Sequence, residues 1–183
     1  MNQITIHTLD TAPEASKDNL KAVTEKFGFV PNILGTLASS PSALNAYLSI
    51  MSGSEKFGTL TPADRQFLYL CVSVTNACNY CVPAHTGGCI KAGIDPEIIE
   101  AARIGALISD PHFQALRTFV QAVVAKHGHV DQTEMDAFLA AGFSKDQVLE
   151  ILASVAVKTI SNYTNAMFDT PLDDVFSKFA WES

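Results

Sequence analysis

A chain of 183 residues, 48% apolar and 17% charged, has material for one domain, 1–183, with a sizeable core. Its 12 Lys and Arg against 19 Asp and Glu give a net charge of −7, which excludes a phosphate-tracking surface and with it nucleic-acid binding. No apolar run approaches the roughly 20 residues needed to span a bilayer, so no membrane partner is expected.

The first twenty residues, "MNQITIHTLDTAPEASKDNL", lack a basic stretch followed by an apolar one, and the protein is expected in the cytoplasm. Four cysteines in a chain this long do not make a disulfide scaffold. After an extended start at "IHTLD", residues 13–26 carry Leu20 and Val23 at helical spacing, with Phe27 following. Pro31 and Pro41 mark two further helix starts, because a proline at the first helical position gives up no intrahelical hydrogen bond. In "TLTPADRQFLYLCVSVTNA", Thr61 is the expected N-cap, Pro62 the first position, and Asp64 faces the positive end of the dipole. The run "FLYLCVSV" is apolar all round, which predicts a helix buried on every side.

Asp-Pro pairs open helices at residues 95–96 and 110–111, the second stopping at Gly128. "DQTEMDAFLAAGF" predicts a short helix ending at Gly142, and Ser144 with Gln147 forms a capping box for a long one. That long helix is expected to bury Val148, Ile151, Leu152, Val155 and Ile160. "AGIDPEIIEAA" and "AGFSKDQVLEIL" echo each other about 50 residues apart, as a duplicated hairpin or common helix–Gly–helix connections would. The tail adds a last turn or two ending at Trp181. The fold class is an all-α helical bundle, and the slight apolar excess points to surface covered by a partner chain.

The chemistry concentrates in "TNACNYCVPAH", residues 75–85. Positions three and four apart share a helix face, so Cys78, Cys81 and His85 would line one stripe of a continuous helix. Pro83 forbids that continuity. The expected solution ends one helix near Asn76 and starts the next near Asn79, with Cys81 at its positive end, where a thiolate is favoured. His85, one turn on, is then placed to accept a thiol proton or to hydrogen-bond the anion.

Three readings compete for these residues. A zinc site would take Cys78, Cys81, His85 and Cys89, but four ligands on one short helical stretch make a poor tetrahedron. Free cysteines are often small core residues, which is the plainest account. A redox dithiol explains the register of the histidine as well. No G-x-G-x-x-G or P-loop is present, so no cofactor or metal is assigned.

The segment Leu60 to Ile94, with its buried helix, C-x-x-C-x-x-x-H and closing "KAGI", resembles the alkyl hydroperoxidase D / carboxymuconolactone decarboxylase superfamily. Weaker similarity extends upstream to "PNILGTLASSPSALNAYLSI" and downstream to "ISNYTNAMFDTPLDD". The resemblance implies an all-α bundle that oligomerises through its helices, as a homo-oligomer of trimeric or hexameric type. It implies an antioxidant thiol peroxidase, with a hydroperoxide as substrate and an external dithiol, lipoyl- or thioredoxin-like, as reductant. By the same resemblance Cys78 and Cys81 form the redox couple, Cys81 attacking and Cys78 resolving, with His85 as base. Gln66 stands where peroxidase members have a glutamate; it can orient an imidazole but cannot hold the relay's proton, a task that would fall to Asp64 or to a neighbouring subunit. Pro83 is a second departure.

The same superfamily contains decarboxylases acting on an anionic lactone, for which Arg65, Arg103 and Arg117 are the available guanidinium groups. A non-catalytic helical oligomer is the remaining alternative. Elsewhere, Cys71 and Cys89 read as packing sulfurs. His127 and His129 read as groups at a helix C-terminus, and His112 as solvent-facing.

Overall fold

The computed structural model describes residues 4–182. Among them the regular structure is helical, with no strand: α1 Glu14–Phe27, α2 Asn32–Leu37, α3 Pro41–Phe57, α4 Pro62–Thr75, α5 Cys81–Lys91, α6 Pro96–Ile104, α7 Pro111–Ala125, α8 Gln132–Ala140 and α9 Lys145–Phe168. A short 3-10 segment, Asp174–Phe179, closes the chain. No described helix is long and apolar enough to cross a membrane.

The start signals act as their chemistry predicts. Thr61 and Asp64 close a reciprocal capping box on α4, and Ser144 with Gln147 closes another on α9. Asp95 and Asp110 cap α6 and α7, each with the following proline at the first helical position. Pro31 is the exception: it is the N-cap of α2 rather than its first residue.

α4 is the axis of the bundle and packs against α5, α6, α7 and α9. Its residues Phe67 through Val72 are at most 2% exposed, as an all-round apolar helix requires. Burying a side chain such as Phe67 contributes about 1.5–3 kcal/mol relative to leaving it in water. α7 and α8 add an aromatic column, in which Phe119, Phe138 and Phe143 stack in sequence with centroids 4.1 and 4.3 Å apart.

Two elements depart from expectation. α5 begins at Cys81, two residues later than the proline alone suggests, so Cys78 precedes the helix and does not share its stripe with His85. The reason is the end of α4. Ala77 takes a left-handed conformation (φ 50°), its N–H bonds Val74 O, and the Cys78 N–H bonds Ser73 O, which is a Schellman stop.

α9 departs further. Of the five residues expected inside, Ile151 is fully buried, whereas Leu152 is 43% exposed. The inward face instead reads Ile151, Ser154, Val157, Lys158, Ser161, Asn162 and Asn165. Apolar residues lie on several faces of this helix, so the apolar pattern alone does not say which face turns inward.

The C-terminal tail straps the start of α5. Tyr80 donates its hydroxyl to Asp173, which also accepts the Asn32 N–H at 3.2 Å. The Trp181 indole N–H donates to Arg103 O at 3.1 Å, fixing the tail on its own chain.

Candidate functional site

Cys78 and Cys81 meet where α4 stops and α5 starts. The Cys81 backbone N–H donates to Cys78 Sγ at 3.2 Å, one of the free N–H groups of the helix N-terminus. From the last turns of α9, Asn165 Nδ2 reaches both sulfurs, at 3.2 Å from Cys81 Sγ and 3.7 Å from Cys78 Sγ. Both thiols are free and buried.

Behind the sulfurs runs a row of three side chains from three helices. Lys158 Nζ lies 2.7 Å from His85 Nε2, and His85 Nδ1 lies 3.2 Å from Gln66 Oε1. An ammonium group has donors only, so Nε2 must accept. The ring proton is thereby assigned to Nδ1, donating to Gln66. The Tyr69 ring lines the row, 5.2 Å from the imidazole centroid and 5.9 Å from Nζ. Gly88 makes room for Gln66: a Cβ there would stand 2.2 Å from Gln66 Oε1, so any side chain would displace the amide.

The electrostatics follow from this row. Burial, reinforced by the Lys158 charge, holds the His85 pKa well below the ordinary imidazole value, so the ring is neutral. Burial opposes charge on Lys158, but the sulfur of Cys81, with Tyr47 and Cys78 behind it, raises its pKa and keeps it an ammonium. Burial likewise opposes a thiolate at Cys81; the hydrogen bond from the Cys78 thiol, the Lys158 charge and the amides of Asn162 and Asn165 overcome it and lower the Cys81 pKa. Cys78 moves up, because its hydrogen bond to Cys81 and its burial favour the thiol. The pair thus shares one proton between two sulfurs, with the negative charge drawn toward Cys81.

The predicted residues come together, but not in the predicted order. His85 makes no hydrogen bond to either sulfur among the described residues; both of its ring nitrogens are taken, and the cation serving the dithiol is Lys158. Asp64 does not feed the row. It is spent on the α4 capping box and on His112, whose Nε2 lies 2.7 Å from Asp64 Oδ1. His112 is therefore not simply solvent-facing: its side chain is 44% exposed, and its ring stacks on Phe143 at 4.6 Å.

Cys71 and Cys89 are buried in the packing, and burial pushes the Cys89 thiol up to about 12. His127 takes the left-handed position after α7, its N–H bonded to Val124 O. Among the described residues, no group of three or more His, Cys, Asp or Glu side chains could hold a metal ion.

Sequence reasoning missed Lys158, Asn162 and Asn165. The available signal was the polar row Ser154, Lys158, Asn162 and Asn165 at spacings of four, four and three in the otherwise apolar "ASVAVKTISNYTNA".

A cavity of about 130 Å³ opens beside the dithiol, bounded by Cys78, Asn79 and Tyr80 on one side and by Asn165, Asp169 and Thr170 on the other. Cys78 lines it, and Cys81 does not.

Comparison with known proteins follows the same lines. The sequence model of the carboxymuconolactone decarboxylase family matches residues 41–122, from α3 through most of α7. No curated protein sequence matches the chain significantly. Among solved structures, the chain is similar to the alkylhydroperoxidase AhpD core of an uncharacterized peroxidase-related protein from Ralstonia eutropha JMP134. The two share 25% identity over 95% of this chain and 93% of that one, with a TM-score of 0.84. It shares its fold with an uncharacterized peroxidase-related protein from Silicibacter sp. TM1040, at 19% identity over 96% of each chain and a TM-score of 0.77. The same holds for a cysteine-to-alanine variant of the debrominase Bmp8 in complex with 2,3,4-tribromopyrrole. That match has 17% identity over 97% of this chain and 95% of that one, with a TM-score of 0.79. With the family match across α3 to α7 and an AhpD-core fold over nearly its whole length, the chain belongs to the alkyl hydroperoxidase D / carboxymuconolactone decarboxylase superfamily.

Proposed function

We propose that the protein is a thiol peroxidase in which Cys78 and Cys81 are oxidised to a disulfide as a hydroperoxide is reduced to an alcohol and water. The observation that carries this reading is the shared proton: two sulfurs bridged by Asn165, with the Lys158 ammonium behind them, hold one thiolate against burial. One sulfur attacks the peroxide and becomes a sulfenic acid, and the other displaces water from it. An external dithiol returns the pair to its reduced form. His85 and Gln66 act through Lys158, orienting its ammonium, and the neutral amide at Gln66 suits a neutral ring. Residues 1–183 act as one domain, supported by the near-complete coverage of the AhpD-core neighbour.

The decarboxylase alternative loses support because its guanidinium groups are occupied. Arg117 is held by Ala101 O, Ala106 O and Gln114, Arg103 by Thr86 and the tail carbonyls, and Arg65 by Leu60 O. A homo-oligomer is supported by the outer face of α9, where Leu149, Leu152, Tyr163 and Met167 are 43–66% exposed in one helical row.

Thiol counting tests the enzyme reading. Reduced protein treated with a slight excess of organic hydroperoxide is expected to lose two of its four thiols per chain. The Cys78→Ser/Cys81→Ser protein is expected to lose none. An unchanged count in the native protein would leave a non-catalytic helical oligomer.

A further inference from the structure

Two buried polar atoms beside the dithiol have no partner. Asn165 is 6% exposed and its Nδ2 serves the sulfurs, but its Oδ1 accepts nothing. Thr170 is 9% exposed, and its Oγ1 is likewise unpaired. Leaving such groups unsatisfied costs about 1–3 kcal/mol each, so a buried pair of them points to something that fills the space between. Both side chains line the 130 Å³ cavity that Cys78 borders.

Resting on the peroxidase reading above, we infer that this cavity is the subsite for a small, neutral hydroperoxide, and that Cys78 is the sulfur it meets. Asn165 presents an acceptor, and the O–H of a hydroperoxide is the donor that matches it. Thr170 presents a hydroxyl that can donate to the second oxygen. Because Oδ1 and Nδ2 belong to one amide, a peroxide held on Oδ1 sits next to the sulfurs that Nδ2 contacts, on the side where Cys78 is open.

Size and charge set the substrate class. At roughly 30 Å³ per water, the cavity holds about four waters, enough for hydrogen peroxide or a short alkyl hydroperoxide and too little for a long chain. It lies at the C-terminal end of α9, where the last carbonyls carry partial negative charge, and Asp169 borders it. Both disfavour an anion.

The step balances as follows. The shared proton moves from Cys78 to Cys81, and the Cys81 N–H stabilises the Cys78 thiolate so formed. Cys78 Sγ attacks the O–H oxygen, an S–O bond forms and the O–O bond breaks. The departing oxygen takes a proton from Thr170, whose hydroxyl is replenished from solvent. Cys81 then attacks Cys78 Sγ: the S–S bond forms, the S–O bond breaks, and hydroxide leaves as water with the proton that Cys81 gives up. Two thiol sulfurs are oxidised, and one peroxide is reduced by two electrons.

Single-turnover thiol loss in the full-length reduced protein tests the assignment with three probes: hydrogen peroxide, tert-butyl hydroperoxide and linoleic acid hydroperoxide. The two small neutral probes are expected to react at least tenfold faster than the long anion. Thr170→Val, which keeps the shape and removes the hydroxyl, is expected to slow them about 10- to 100-fold. In Cys81→Ser protein the first oxidation product should be a dimedone-trapped sulfenic acid on Cys78, whereas Cys78→Ser protein should give none on Cys81. Equal rates for all three probes, an unchanged Thr170→Val rate, or native-rate trapping at Cys81 in Cys78→Ser protein would each overturn the subsite while leaving the peroxidase reading standing. A native protein that loses no thiols to any probe would overturn both.

Discussion

Lys158 is the residue on which the reactivity of the dithiol turns. It is 1% exposed, stays charged because a sulfur shares its enclosure, and in turn holds that sulfur as an anion. Replacing it by methionine keeps the volume and removes the charge. The lowered thiol pKa should then return upward, and alkylation of the pair at pH 7 should slow about tenfold or more, since a free thiol near pKa 8.5 is only a few per cent ionised there. In native protein, alkylation should persist below pH 7; in Lys158→Met it should fall away below about pH 8.5. The linkage has a definite sign. A depressed pKa adds stability that is complete above the ordinary thiol range and drains as pH falls through the lowered value, so Lys158→Met should flatten the loss of stability toward acid pH. Thermal unfolding across pH checks this, and stability near neutrality should hold or rise because a buried charge has been replaced by an apolar side chain.

At the scale of elements, the joint between α4 and α5 positions both sulfurs. Ala77 occupies a left-handed position that glycine adopts without strain, and its side chain raises the cost of the turn that turns Cys78 back toward Cys81. Ala77→Gly should therefore stabilise the protein by about 1 kcal/mol, raising Tm by roughly 2–4 °C in a domain of this size. Differential scanning calorimetry reads this directly. A lower Tm would mean that the methyl group contributes packing that outweighs the relief of strain.

At the scale of the molecule, α9 has two working faces. Its inner polar row serves the dithiol, and its outer apolar row is uncovered in one chain. If that outer row joins copies, Leu149→Glu with Leu152→Glu should lower the mass measured by light scattering from that of an oligomer to that of a single 19.7 kDa chain, with helical circular dichroism retained. Native protein already running at 19.7 kDa would remove the oligomer from the account.

Local chemistry made much of this architecture readable from the chain. Helix starts rest on caps and prolines a few residues away, α4 is apolar on every side, and Cys78, Cys81, His85 and Gln66 stand at spacings that bring them near one another. Those signals are short-ranged, and they carried the all-α class and the neighbourhood of the dithiol. The identity of the group beside the sulfurs was not local. Lys158 and Asn165 lie more than 70 residues downstream on a helix whose apolar residues cover several faces, so only packing α9 against α4 and α3 decides which face turns inward. The same packing interposes Lys158 between His85 and the sulfurs and leaves Asn165 Oδ1 and Thr170 Oγ1 without partners. Hydrogen bonds and burial across distant segments are properties of the folded assembly, and no spacing along the chain encodes them.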